Sequence, residues 1–205
     1  MRPAKWRSPR QSLLVGTGKF EEGIEELFLA ERLDPLALRP KVLSAWTLYQ
    51  TRDFTRALAK GRELCSLDPG FMQSHLQTAN ILLEMGEVKE ALEHSDLAVE
   101  IEPNAVLPVY VHCFALVANG ARDKALNLIE MWESRRREMY VPPFFMGMAW
   151  LAVGELDKAF AYLDEARTEP SAWTLWFGTE PKLDAIRGDA RYREMIEKMN
   201  GPIRD

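Results

Sequence analysis

GEVKEALEHSDLAVEIEP, residues 86–103, opens on a glycine, closes on a proline and carries Val88, Ala91, Leu92 and Ala98 at helical spacing between them. The phrase occurs upstream as GKFEEGIEELFLAERLDP (18–35) and RDFTRALAKGRELCSLDP (52–69). Its opening returns downstream as GARDKALNLIEMW from Gly120 and GELDKAFAYLDEA from Gly154. Pro35, Pro69 and Pro103 are 34 residues apart, as are the small residues Gly23, Ala57, Ala91, Ala125 and Ala159. Five residues before each small residue stand Gly18, Arg52, Gly86, Gly120 and Gly154. Only 12 of 205 residues are glycine, so four in five at one register marks an internal repeat.

The repeat settles the one stretch that suggests phosphate chemistry, VGTGKF at 15–20. A P-loop needs Gly-x-x-x-x-Gly-Lys-Ser/Thr, so that backbone N–H groups wrap the phosphates and a hydroxyl ligates magnesium. Here Phe20 follows Gly18-Lys19, and Leu13 stands where the first glycine belongs. The dinucleotide pattern begun by Gly16 and Gly18 meets Glu21 at its third glycine, and no strand-like run precedes it. Gly18-Lys19 is instead read as a turn between antiparallel helices, the glycine closing the first in the left-handed conformation. Lys19-Phe20-Glu21-Glu22 then opens the next, with carboxylates at its positive end.

A helix–turn–helix period of 34 residues resembles the tetratricopeptide repeat (TPR). The likeness extends to the packing positions. A large apolar residue midway along each first helix is offered by Leu14, Leu48, Leu82, Leu116 and Trp150. Three positions earlier, where helices approach closely, stand Gln11, Ala45, Ala79, Cys113 and Gly147. The small residue late in each second helix is Ala30, Ala98 or Ala166, with departures at Leu64 and Trp132. Repeat four also has Arg137 in place of the closing proline, so irregular packing is expected between repeats four and five.

The resemblance implies an all-α superhelical solenoid of ten repeat helices, with no strand beyond isolated bridges. The five repeats span about 8–35, 38–69, 72–103, 106–137 and 140–170, after a basic tail at 1–7. Ser8-Pro9-Arg10-Gln11 fits a capping box for the first helix, and Pro142-Pro143 begins the first helix of repeat five. After Pro170 the register ends, and 171–205 is expected to be a C-terminal cap of helices, because a solenoid's last apolar face needs covering. Asp189 is the expected N-cap of the final helix, which turns Tyr192, Met195 and Ile196 inward, and Gly188 ends a short helix before it. Trp173, Leu175, Trp176 and Phe177 are too apolar to leave in water. The favoured placement is an end cap on repeat five; folding back into the concave groove is the alternative.

Composition narrows the work the chain can do. Hydrophobic residues at 47% and charged residues at 28% are ordinary for a folded soluble protein. A net charge of −5 argues against nucleic acid, which selects a basic face. The Arg135-Arg136-Arg137 cluster falls where a helix ends and suits the helix dipole. Cys65 and Cys113 lie far apart, which fits a reducing, cytoplasmic setting rather than a disulfide scaffold. No run of 18 apolar residues suggests a membrane span, and Leu13, Leu14 and Val15 are too short for a signal peptide.

No catalytic or metal constellation is legible, and no cofactor is expected. His75, His94 and His112 have no His-Glu-x-x-His spacing. His94-Ser95-Asp96 contains the residue types of a hydrolase triad, but consecutive helix residues point in different directions. Cys113 occupies a small-residue packing slot, where a buried inert thiol is expected.

The remaining surface is the concave side, which the family lines with its first helices. Its candidate partner-binding residues are Trp46, Tyr49, Gln77, Asn80, Tyr110, Phe114, Phe144, Phe145 and Met148. Some TPR domains clamp the terminal carboxylate of chaperone tails with lysine, arginine and asparagine. Only Asn80 matches that set, so no such clamp is expected. The side grows more apolar toward repeats four and five, which marks either a groove for a protein or peptide, or a surface that tight curvature or the chain's tail covers. The resemblance implies a non-catalytic scaffold for protein–protein interaction. PKLDAIRGDARYREMI is similar to tails that close TPR arrays fused to bacterial transcription-factor, cyclase or kinase domains. The alternative it implies is a regulatory or sensor segment of a signalling protein.

Overall fold

The computed structural model describes residues 19–169, 173 and 176–199. Nine repeat helices follow one another among these residues. They are α1 (Phe20–Leu33), α2 (Leu38–Gln50), α3 (Phe54–Leu67), α4 (Met72–Met85), α5 (Val88–Ile101), α6 (Leu107–Ala118), α7 (Arg122–Arg135), α8 (Pro143–Ala152) and α9 (Leu156–Thr168). A 3-10 helix, Pro181–Ile186, and a last helix, α10 (Ala190–Lys198), complete the order, and the described residues contain no strand. The first helix of repeat one, with Gln11, Leu14 and the Gly16–Gly18 turn, lies outside the described residues, as do the basic tail 1–7 and Leu175.

The 34-residue rows become the packing. Leu48, Leu82, Leu116 and Trp150 are all buried, as are Ala45, Ala79 and Cys113 in the row three positions earlier. A Cβ built on Gly147, the last member of that row, meets Leu163 at 2.9 Å and the Ala159 carbonyl at 3.2 Å, so only glycine lets α8 approach α9 so closely. Ala57, Ala91, Ala125 and Ala159 have no exposed surface, because each sits where the second helix of a repeat crosses the first.

The turns obey the other row. Gly86, Gly120 and Gly154 hold φ of 79°, 79° and 80°, with open space where a Cβ would go; their constraint is backbone conformation alone. Arg52 stands in the same row and adopts the same left-handed turn at φ 63°.

Repeats four and five join irregularly. Elsewhere the second helix of one repeat packs broadly on the first helix of the next, but α7 barely touches α8, and α8 leans instead on α6. Trp132 fills the widened corner, fully enclosed, with the Arg135 guanidinium 4.8 Å from its ring centre. Glu133 ties the corner together by accepting from Trp150 Nε1 at 2.8 Å and from the Tyr162 hydroxyl at 2.5 Å.

First and second helices differ in how much of their surface is covered. In α5 only Ala91, Ser95 and Ala98 are buried, a narrow stripe, whereas every residue of α8 from Pro143 to Leu151 is buried. A helix apolar and enclosed all round must have cover on its concave side as well as from its neighbours. Replacing Ala91 by leucine should force extra methylenes into a closed helix contact and lower stability by about 1–3 kcal/mol. A denaturant melt checks this, and an unchanged midpoint would show that the row is not a packing row.

Candidate functional site

The cover comes from the chain itself. Trp173 and residues 176–186 run along the first helices of repeats five to two, which corrects the expectation that this segment caps only the end of the array. Trp173 meets Phe145 with ring centres 4.7 Å apart and stacks on Phe144 at 6.4 Å. Phe177, fully buried, meets Phe144 edge-on at 5.2 Å, and Trp176 meets Trp46 edge-on at 5.8 Å. The end of repeat five is also covered: Asp189 Oδ1 accepts the Arg191 N–H at 2.8 Å as N-cap of α10, whose Arg191 pairs with Asp157 at 2.7 Å. The Tyr192 hydroxyl donates to the Phe177 carbonyl at 2.7 Å and so links α10 to the segment in the groove.

A polar seat lies at the far end of the segment. Glu180 is buried, and its Oε1 accepts from the Tyr49 hydroxyl at 2.6 Å and from the Lys182 backbone N–H at 3.3 Å. Its Oε2 accepts from Gln50 Nε2 at 3.3 Å. Lys182 Nζ donates to Glu84 Oε1 at 2.7 Å and lies 5.1 Å from the Phe114 ring centre. Arg52 reaches across from the left-handed turn. Its Nη1 donates to the Thr179 carbonyl at 2.7 Å and its Nη2 to Asp184 at 2.9 Å. Burial drives the Tyr49 and Tyr110 hydroxyls well above the ordinary phenol range, and the nearby Glu180 and Glu84 charges push the same way. Burial likewise raises Glu180 above the usual carboxylate range, although Lys182 and the Tyr49 hydrogen bond pull it down.

All nine residues singled out in the sequence lie on this one side, but they divide in two. Phe144 and Phe145 are buried against the C-terminal segment, Met148 is buried in the same core, Phe114 lies against Lys182, and Tyr49 is bonded to Glu180. Of the two alternatives the sequence left open for this side, covering by the chain's own tail holds around Phe144, Phe145, Phe114 and Tyr49, which meet the segment's aromatic rings, Lys182 and the buried Glu180. Asn80 is also buried, and its Oδ1 lacks a hydrogen-bond partner. Trp46, Gln77 and Tyr110 instead border a cavity of about 500 Å³. Arg39, Val42, Leu43, Phe71, Gln73, Leu76 and Leu107 also line it, together with Trp173 and Trp176 of the C-terminal segment. Gln77 is 7% exposed, and its Oε1 has no hydrogen-bond partner.

Other chemistry is less organised. Ser95 Oγ lies 3.0 Å from His112 Nδ1, and Asp96 lies 3.7 Å from the same nitrogen. A relay needs hydroxyl and carboxylate on opposite ring nitrogens, so this trio does not form one. Burial pushes the Cys113 thiol up to about 12, which fits an inert core residue. Cys65, His75 and His94, which sequence spacing kept apart, do come together on three helices. No described helix is long and apolar enough to cross a membrane.

No family model and no curated relative matches the sequence. Solved structures do. The TPR protein TTC0263 of Thermus thermophilus is similar with a TM-score of 0.64 at 17% identity, over 92% of this chain and 96% of that one. The chain has the tetratricopeptide-repeat fold. A TPR protein of Parabacteroides merdae superposes with a TM-score of 0.53 at 16% identity, over 94% of this chain and 77% of that one. YrrB, described as a TPR protein with an unusual peptide-binding site, gives 0.50 at 20% identity, over 86% and 91%.

Two measurements probe the self-docked TPR groove. Replacing Arg52 by glycine relieves a left-handed arginine but removes the clamp on Thr179 and Asp184. Proteolysis within 176–199 should accelerate while the helical circular dichroism stays constant; an unchanged cleavage rate would show that the clamp does not hold the segment. Glu180 supplies a pH signature. A carboxyl whose folded pKa lies above its unfolded value contributes stability that is full below the unfolded pKa and lost as pH rises through the folded one. Wild type should therefore lose stability relative to Glu180→Gln as pH rises from about 4.3 upward. Parallel pH profiles of melting would refute the assignment.

Proposed function

We propose that the chain is a non-catalytic protein-interaction scaffold that binds an extended peptide in the cavity over repeats two to four, with its own C-terminal segment as one wall. The observation that carries this is the buried, unpartnered Gln77 Oε1 in a cavity lined by Trp46, Tyr110, Trp173 and Trp176. A buried acceptor without a donor costs about 1–3 kcal/mol, and a peptide N–H entering the cavity removes that cost. Aromatic walls around a few placed polar groups are the usual composition of a binding pocket. The peptide-binding site named for YrrB supports the reading by analogy of fold.

A regulatory reading shares the same cavity. It is favoured by the self-docked segment, whose buried Glu180 and clamped Asp184 give the groove two occupants to choose between. Under that reading a small ligand or an internal domain, as in a signalling protein, takes the peptide's place.

Peptides selected from a displayed library on the whole chain test the scaffold proposal. Binding measured by calorimetry should weaken about tenfold or more in Trp46→Ala, the loss of roughly 1.4 kcal/mol expected for an aromatic anchor. Gln77→Leu should weaken it as well. Selected peptides whose affinity ignores both substitutions would overturn the site, and a library yielding none would overturn the function.

A further inference from the structure

We propose that Cys65, His75 and His94 form a binding site for one zinc ion at the junction of repeats two and three. Cys65 lies on α3, His75 on α4 and His94 on α5, and none of them lines the concave cavity. Their ligand atoms all fall within 4.8 Å of one another. His75 Nδ1 is 2.9 Å from His94 Nδ1 and 4.0 Å from Cys65 Sγ. Tetrahedral zinc with ordinary bond lengths separates two nitrogens by about 3.3 Å and a sulfur from a nitrogen by about 3.6 Å. These two spacings differ from the ideal by a few tenths of an ångström, within reach of small side-chain rotations.

The protonation of the cluster favours a cation. His75 Nε2 lies 2.9 Å from the Pro69 carbonyl oxygen, which can only accept, so Nε2 carries the hydrogen and Nδ1 holds a lone pair. A backbone carbonyl behind the ring is the arrangement that fixes the tautomer and orientation of a metal-ligating histidine. His94 must then supply the hydrogen between the two Nδ1 atoms. Zinc takes the place of that hydrogen. The His94 proton moves from Nδ1 to Nε2 through solvent, with no net change, and the Cys65 thiol releases one proton as it becomes the thiolate ligand. One sulfur and two imidazole nitrogens suit zinc among divalent ions, and water completes the tetrahedron. Cys65 is partly exposed, which gives the ion a way in.

Position gives the site a consequence. In a repeat array each repeat touches only its neighbours, so stability is set at the junctions. An ion held by α3 on one side and by α4 and α5 on the other pins one such junction, and α4 also carries Gln77.

The test uses the whole chain, stripped of metal with a chelator and titrated with Co²⁺ without oxygen. A thiolate-to-cobalt charge-transfer band should grow, saturate at one equivalent and vanish when one equivalent of Zn²⁺ is added. Zinc binding should release one proton per ion at a pH where the free thiol is protonated. Cys65→Ser should abolish the band. His94→Ala should weaken zinc affinity at least about 100-fold, since losing a mere supporting partner costs 10–100-fold. His94 is half-buried, so this variant keeps the fold, as an unchanged helical spectrum would verify. Absence of a sulfur band, zinc affinity unchanged by both substitutions, or binding of Cu⁺ alone would each overturn the proposal.

Discussion

Phe144 and Phe145 cannot face water, and much of the molecule follows from how they are covered. They sit on α8, a helix whose residues from Pro143 to Leu151 are all buried. Neighbouring repeats cover two flanks of such a helix but leave its concave side open. Trp173 and Phe177 close that side, and the contacts join the largest continuous core of the protein, which extends from α4 through the repeats to Tyr192, Met195 and Ile196 of α10. The C-terminal segment is therefore part of the core of repeats four and five, and toward repeat two it is held by the Trp176–Trp46 contact and by polar bonds around Glu180.

That change of character along the segment has a physical reason. At the repeat-five end the contacts are aromatic and non-directional, so they supply burial at about 25 cal/mol per Å² with little demand on geometry. At the repeat-two end Glu180 is buried and must be satisfied, which Tyr49, Gln50 and the Lys182 N–H accomplish only in one register of the segment. Burial raises the carboxyl and the Tyr49 hydroxyl alike, so each holds its proton more strongly than it would in water. The apolar half gives the docking its strength and the polar half gives it a position. The cavity over Gln77 and Tyr110 is what remains of the groove once that position is taken.

The architecture was legible because its signals are periodic. Prolines, glycines and small residues at 34-residue intervals specify turn conformations and close helix contacts, and these are local demands that one residue type meets. The nine groove residues were legible as a side for the same reason: Trp46, Asn80, Phe114 and Met148 are one row of the repeat. Their cover was not, because Trp173 and residues 176–186 lie outside the repeat and pair with the rows through contacts 130 residues away, such as Gln50 to Glu180. The wholly apolar run PFFMGMAWL was the available signal; a helix facing solvent on any side would have carried a polar stripe. The Cys65, His75 and His94 cluster escaped for a related reason. Its members belong to three helices, and their irregular spacing becomes proximity only when repeats two and three stack.

The departures from the repeat are informative once the structure explains them. A left-handed arginine costs about 1–2 kcal/mol relative to the glycine its row calls for. At position 52 that cost is offset by a guanidinium that bonds Gln50, Thr179 and Asp184, contacts that glycine could not make. Trp132 breaks the small-residue row where α7 and α8 draw apart, and an alanine there would leave the corner empty. Arg137 replaces the closing proline at the same corner, next to Arg136, which is paired with Glu165. Arg52 and Trp132 thus fall where the chain makes contacts that the other repeats lack. In an array of similar units, the residues that break the pattern are where the sequence records what is particular to this molecule, and Arg52 bonds the segment that occupies the array's own groove.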